Sequence, residues 1–433
     1  MSPSAQALWL AIGCAACISA CGPESETETE ADAAIDHTVA LDVGIADASN
    51  DRAITFDAEA TIDAAPTPSC TNTDAPVWGP RPLDSVDAVF DDEEIALAYI
   101  PTGERRAFLD VLRDDASVRV AEATSYDLVT PSGSDFRGSA GVDLSVSPTG
   151  YALGWHTVER VFDSESNHVF STAIIFDREG VVQAFTSTRG LPRDAYGVRV
   201  FAASPQMLWS GSDAWFTWTD VRSRQRQFGN VTRQAGVYGV VASAQRASAS
   251  HMLIEWASSR RSYALAAAPE GQIRAAWISG GSDRQPYTGA LPVLGTVDPL
   301  NDDRLADIKD IALAGDTTHV LYGRYSNGIH LATRRGDAPF TSRRIETIAD
   351  DDAQARLAVA GEDVWLAWAA NSAGGSSEVG WSEVADDASA ATVVRDQLAE
   401  LLNIRVLADR VQILAAYWPP DGPTTVELHQ RCF

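Results

Sequence analysis

The chain has 433 residues, 33 of them Lys or Arg and 60 of them Asp or Glu, for a net charge of −27 at neutral pH. That balance argues against nucleic acid and anionic lipid headgroups as broad partners, because both require a basic face. Every basic residue except Lys309 is an arginine, a bias that reads as genome composition rather than as a nucleic-acid signature.

The first predicted element is an export signal. Ala5 to Ala20 carries no charged residue, which suits a signal-peptide core and falls short of the ~20 apolar residues a spanning helix needs. Ile18-Ser19-Ala20-Cys21 resembles the lipobox of bacterial lipoproteins, in which an aliphatic residue and two small ones precede a cysteine. The resemblance implies that residues 1–20 are removed and that Cys21 is diacylated as the first mature residue. Cys14 and Cys17 lack a large aliphatic residue three positions earlier, so Cys21 is the better candidate. The signal begins Met-Ser-Pro-Ser with no Lys or Arg, a departure from the pattern. Gly22 stands where an Asp would hold such a protein in the inner membrane, so the outer membrane of a diderm envelope is the expected location.

Residues 21–69 form the second region. Between Gly22 and Ser69 there are twelve acidic residues and one basic residue, Arg52, among Ala, Thr, Ser and Pro. A stretch so poor in apolar bulk cannot offset its ordering entropy and is expected to be a disordered tether. A coil of that length spans on the order of 40 Å between its ends. Removing its charges leaves 32 basic and 48 acidic residues in 70–433.

From residue 70 onward one pattern recurs seven times: a turn rich in Gly, Asp or Glu, then a short apolar strand ending on an aromatic. The aromatics are Tyr99, Trp155, Trp218, Trp277, Tyr322, Trp368 and Tyr417, at steps of 56, 63, 59, 45, 46 and 49 residues. Units of that size hold about four short strands, the signature of a β-propeller. The predicted fold is therefore all-β, a propeller over 70–433 with seven four-stranded blades, six or eight being possible if one repeat is misread. Val169–Phe176, Val181–Phe185 and Val364–Trp368 read as strands, whereas Arg395–Leu402 has a helical look. The recurring aromatics are expected in the core between blades. Trp209, Trp256, Tyr287, Tyr325, Trp381 and Trp418 are read as loop aromatics freer to bind.

Cys70 and Cys432 bracket the repeats. A disulfide between them would lock ring closure in an exported protein, with residues near Pro76-Val77-Trp78 lending the last blade its fourth strand. Two free thiols or a metal pair are the alternatives. The loop-entropy relation gives the bond up to ~5–6 kcal/mol.

Catalytic and cofactor motifs are absent: no zinc helix, phosphate loop, nucleophile elbow or calcium loop occurs in the sequence. No metal site or cofactor is expected. The acidic groups Asp91–Glu94, Asp298 with Asn301–Asp303, and Asp350–Asp352 read as solvated turns, as do the basic clusters at Arg222–Arg226, Arg260–Arg261 and Arg334–Arg335. His156 and His330 read as ordinary strand residues, and Arg335-Gly336-Asp337 as a turn. The function favoured at this point is a membrane-anchored binding or scaffold module for a protein or glycan, with no nucleic-acid partner. The alternative is a propeller hydrolase or lyase acting on an extracellular polysaccharide. Catalytic residues are not assignable from the sequence.

Overall fold

The computed structural model describes Cys70–Phe433 except residues 105, 114–115, 125–133, 162–166, 190–205, 226–230, 244–245, 248–250, 256–262, 269–270, 279–285, 292–297, 301–306, 325–326, 349, 351–352 and 421. The lipobox, Cys21 and the tether lie outside the described residues.

Among the described residues twenty-nine strands form seven antiparallel sheets in a seven-bladed propeller. Strand β1 (Thr73–Arg81) belongs to the last blade. The first blade holds β2 (Leu83–Asp91), β3 (Glu94–Pro101), β4 (Arg106–Arg113) and β5 (Ala116–Thr124). The second holds β6 (Ser134–Ser147), β7 (Gly150–Val161), β8 (Asn167–Asp177) and β9 (Val182–Arg189). The third holds β10 (Gln206–Ser210), β11 (Asp213–Gln225), β12 (Val231–Ser243), β13 (Arg246–Ala247) and β14 (His251–Glu255), the last two both pairing with β12. Blade four is β15 (Tyr263–Ala267), β16 (Ile273–Ile278), β17 (Pro286–Ala290) and β18 (Asp298–Pro299). Blade five is β19 (Asp307–Ala314), β20 (Thr317–Gly323), β21 (Ile329–Arg335) and β22 (Thr341–Arg344). Blade six is β23 (Gln354–Ala360), β24 (Asp363–Asn371), β25 (Ser377–Glu383) and β26 (Asp386–Arg395). Blade seven is β27 (Leu398–Leu407), β28 (Arg410–Trp418) and β29 (Thr424–Cys432), completed by β1.

The first strand of each sheet is innermost, and each lies against its counterpart in the next blade, from β2 and β6 round to β27 and β2. Second strands are apolar on consecutive positions because a neighbouring blade covers each face. In β3, Ala96, Ala98 and Ile100 pack toward blade two while Leu97 and Tyr99 pack toward blade seven. Seven apolar clusters result, one in each blade interface. The seven recurring aromatics are all core, at most 3% exposed, and each faces the preceding blade. Gly380 exists for one of them: a Cβ there would sit 2.2 Å from the ring of Trp368.

Closure follows the predicted route. Strand β1 pairs with β29, Thr73 opposite Gln430 and Trp78 opposite Val426. Cys70 and Cys432 are disulfide-bonded, with Cα atoms 5.8 Å apart, so the bond stands where the other blades have a turn between third and fourth strands. Polar contacts reinforce it. Cys432 N donates to Asn72 Oδ1 at 2.9 Å, and Arg431 Nη2 donates to Asp74 Oδ2 at 2.7 Å. His429, wholly buried, joins Tyr417 OH at 2.9 Å to Asp74 Oδ1 at 2.8 Å. Burial, opposed by Asp74, pushes the imidazole below its ordinary range. The neutral ring then accepts from Tyr417 and donates to the carboxylate.

Two expectations are corrected. Arg395–Leu402 is not helical: Arg395 ends β26, Asp396-Gln397 is a bend, and Leu398 begins β27. An extra residue at Leu402, between Leu401 and Asn403, puts two leucines on buried positions in succession. That bulge mimics helical spacing in a strand. The loop aromatics, where described, belong to strands: Trp209 to β10, Tyr287 to β17, Trp381 to β25 and Trp418 to β28. Trp381 is 3% exposed and carries the Arg431 guanidinium 5.0 Å from its ring. Trp256 and Tyr325 lie outside the described residues.

Candidate functional site

The inner strands meet around the axis at one equivalent register. In every blade, consider the inner-strand residue paired with the position just before the recurring aromatic. These residues are Asp87 opposite Ala98, Asp143 opposite Gly154, Gln206 opposite Thr217, Ala264 opposite Ala276, Asp310 opposite Leu321, Arg356 opposite Ala367 and Glu400 opposite Ala416. Six of the seven are polar, and five are ionisable. Three inner strands bulge within three residues of this register, at Asp84, Lys309 and Leu402, and β6 shifts register just before Asp143. Bulges re-aim side chains and gather near functional sites.

Several of these side chains tie one blade to the next. Asp87 accepts from Ala88 N through Oδ1 at 2.9 Å and from Leu144 N of blade two through Oδ2 at 2.8 Å. Asp310 repeats the arrangement with Ile311 N at 2.8 Å and Leu357 N of blade six at 2.7 Å. Asp143 accepts from Met207 N of blade three. Gln206 donates to Tyr263 O of blade four at 3.0 Å, and Gln354 accepts from Leu401 N of blade seven at 2.8 Å. Ser85 and Ser145 make the same kind of link, to Val142 N at 3.0 Å and Trp209 N at 3.2 Å.

Arg356 is the cation of this ring. It feels the carboxylates of Asp310, Asp87, Asp143 and Glu400, which together outweigh desolvation and raise its affinity for its proton. The carboxyls also hold their protons more tightly, but there burial is the cause. Burial pushes Asp87 well above the ordinary carboxylate range, aided by the neighbouring charge of Asp143. Burial likewise raises Asp143, to about 6, and raises Asp310. Asp143, Asp310, Arg356 and Glu400 sit on innermost strands and are half-buried.

The other sequence candidates do not join this ring. Asp91 is spent on Arg178 and on Tyr151 OH at 3.3 Å. Asp298 is in β18, its partners at 301–303 are outside the described residues, and so are Asp351 and Asp352. His156 is buried in β7 against Ser171 Oγ at 2.9 Å, and His330 is buried in β21. Arg335 is exposed beside Asp316, but Arg334 is 7% exposed and packs over Phe340, so the solvated reading fails for it. Gly336 turns the chain with φ of 54°. Among the described residues no group of three His, Cys, Asp or Glu side chains could hold a metal ion, and no helix is long and apolar enough to cross a membrane.

No protein-family model matches the chain, and neither does any curated protein. Solved structures do resemble it. The α-L-arabinanase of Penicillium chrysogenum complexed with arabinobiose is 8% identical, with a TM-score of 0.43 over 83% of this chain and 98% of that one. The α-L-arabinofuranosidase Arb93A of Fusarium graminearum is 10% identical, with a TM-score of 0.41 over 80% and 92%. The six-bladed fucose-recognising lectin of Aleuria aurantia is 11% identical, with a TM-score of 0.38 over 68% and 90%. At these identities the likeness is to the propeller fold alone.

Proposed function

We propose that this protein is a lipid-anchored envelope protein, held by Cys21 in an outer membrane, whose propeller binds a glycan at the polar ring of its inner strands. The carrying observation is the convergence of Asp87, Asp143, Gln206, Asp310, Arg356 and Glu400 from six blades at one level of the inner strands. A polyol presents hydroxyls that donate and accept, and a wall of carboxylates, a carboxamide and one guanidinium offers both roles. Such a wall suits a sugar better than an apolar ligand. Binding is favoured over hydrolysis because both oxygens of Asp87 and of Asp310 already serve backbone N–H groups. Those carboxylates are fixed as structural acceptors rather than held ready as nucleophiles.

The test is calorimetric titration of the purified 70–433 domain with arabino-, xylo- and cello-tetraose, followed by a broader glycan array. Replacing Glu400→Gln is expected to weaken a bound oligosaccharide at least ~10-fold, the worth of one hydrogen bond involving a charged group, and Gln206→Ala by less, roughly 2- to 10-fold. Finding no ligand across the array would count against the reading. Anchoring is tested apart: radiolabelled palmitate should enter the wild type and not Cys21→Ala.

One observation supports a second reading, a glycoside hydrolase. Asp143, raised to about 6, is poised as general acids are. Release of reducing ends from envelope polysaccharide by the wild type, lost in Asp143→Asn, would favour it.

A further inference from the structure

Tyr99, Tyr151 and Tyr417, in three blade interfaces, each carry an arginine over the ring, and at two of them the charges balance. Arg178 lies 5.0 Å from the Tyr151 ring and is bound to Asp91. Arg395 lies 5.8 Å from the Tyr417 ring and is bound to Glu427 at 3.0 Å. Tyr99 differs. Arg119 lies 5.6 Å from its ring and is bound to Asp110, but a second guanidinium, that of Arg81, lies 5.3 Å from the same ring. Arg81 makes no ion pair among the described residues, and its polar partner is the Tyr99 hydroxyl at 2.6 Å.

The cluster sits at the closure seam, where β1 of blade seven meets the outer strands of blade one. Strand β1 shifts register against β29 on either side of Trp78, and such bulges re-aim side chains. Trp78 is buried in the seam, whereas Arg81 is exposed at the end of the strand with its guanidinium 5.0 Å from the Trp78 ring. From the other side, Arg119 of β5 lies 4.3 Å from the Phe108 ring. Beneath both arginines, Tyr99 and Asp110 are buried. The Tyr99 hydroxyl accepts from Arg81 and from Arg119 and donates to Asp110 Oδ2 at 3.1 Å. Asp110 also accepts from Trp78 Nε1 at 3.4 Å and Ser117 Oγ at 3.2 Å. Glu104 and Glu122 are held by Arg106, at 3.1 and 3.0 Å, and Glu122 acts on Arg119 through its charge.

We infer that Arg81 and Arg119 form a binding site for an oxyanion, a carboxylate, phosphate or sulfate group borne by a ligand, at the seam between blades seven and one. Two guanidiniums bonded to one hydroxyl are like charges at close range, and the single carboxylate of Asp110 offsets one of them. A guanidinium has five N–H donors. Arg81 uses one on Tyr99, and Arg119 uses two, on Asp110 and Tyr99. The remaining donors belong to exposed side chains, 41% exposed for Arg119. The rings beneath hold both guanidiniums in place, which lowers the ordering cost of binding. Their fork of donors matches the paired oxygens of a carboxylate, phosphate or sulfate. The site lies on the outermost strands β1 and β5, away from the polar ring of the inner strands, and stands without the glycan reading.

The probes are sodium sulfate, phosphate and acetate, added to the full chain in neutral detergent against sodium chloride at equal ionic strength, with thermal unfolding as the readout. A ligand of the folded state raises Tm by mass action, so at least one of the three should give a saturating rise that chloride does not. Sulfate and phosphate also stabilise proteins by exclusion from their surfaces, and the deciding quantity is therefore the part of the rise that Arg81→Gln removes. That variant should weaken the apparent affinity at least ~10-fold, the worth of a charge-assisted hydrogen bond. Arg81→Lys, which keeps the charge without the fork, should fall between the two.

A purely structural Arg81, serving only to cover Trp78, gives a different result. Arg81→Gln would then lower Tm equally in every salt and leave the anion-dependent rise intact. That outcome overturns the inference, as does a wild type that responds to none of the three anions. Glucuronate, glucose 6-phosphate and glucose 6-sulfate distinguish the sources of the group: a response to the first alone assigns a carboxylate, and a response to the other two alone assigns a tetrahedral oxyanion. Neutral glucose should give no response, and one equal to that of its charged derivatives overturns the oxyanion reading. A saturating, Arg81-dependent rise in a protein that binds no neutral tetraose supports the seam site and counts only against the inner ring.

Discussion

The middle and inner strands of the same blades solve opposite problems. Middle strands such as β3, β24 and β28 are buried on both faces and repeat one solution seven times, an apolar run ending on an aromatic that packs on the preceding blade. Inner strands face a neighbour on either side and the axis in front, and no two adjacent triplets of blades fill the equivalent position alike: Asp, Asp, Gln, Ala, Asp, Arg, Glu. Packing between sheets asks for bulk at fixed spacing, whereas the axis accepts polar groups of different size and charge. Repetition therefore marks architecture here, and variation marks chemistry.

Substitutions that break each region should separate the two. The largest effect is expected from Arg356→Met, which leaves four carboxylates around a lost cation and should cost about 3–5 kcal/mol, measured by urea unfolding at pH 7. Its loss should shrink in acid as the carboxyls protonate. Trp368→Ala removes a ring 1% exposed in the middle-strand core and should also cost about 3–5 kcal/mol, but with no dependence on pH. Gly380→Ala drives a methyl into that same ring and should cost about 1–3 kcal/mol. A Gly380→Ala and Trp368→Leu double variant should recover part of that loss, because the two positions share one space.

The last effect is a slope. Asp143 is raised to about 6 in the folded state against an ordinary value of 3.8, so between those limits the folded state binds more protons than the unfolded one. Its burial therefore counts against folding at neutral pH, and the wild type gains stability as pH falls from 7 toward 4. Asp143→Asn should lack that gain. Parallel stability curves for the two proteins would remove Asp143 from the ring's titration.

What could be read from the chain followed the same divide. The aromatics pointed to seven blades and picked out the middle strands because each ends an apolar run after a turn of Gly, Asp or Glu. Cys70 and Cys432 revealed the closure because no other cysteine falls in 70–433. Arg395–Leu402 misled because its Leu and Glu residues favour helix locally, while pairing with β28 decides its conformation. The axial ring was hidden for a different reason. Asp87, Asp143 and Arg356 share no local motif and become equivalent only through cross-strand pairing with the residue before each aromatic. The signal was present, but reading it requires the register of each inner hairpin, and the bulges at Lys309 and Leu402 shift that register.

The disulfide has a topological consequence. Because Cys70 and Cys432 are joined where another blade would have a turn, residues 70–433 form a covalent circle with short tails. A circle has no privileged starting point. The ends could be moved to another exposed bend, such as Asp396-Gln397 between β26 and β27, with a short peptide linker in place of the sulfur bridge. The resulting circular permutant should build the same seven blades around the same axis.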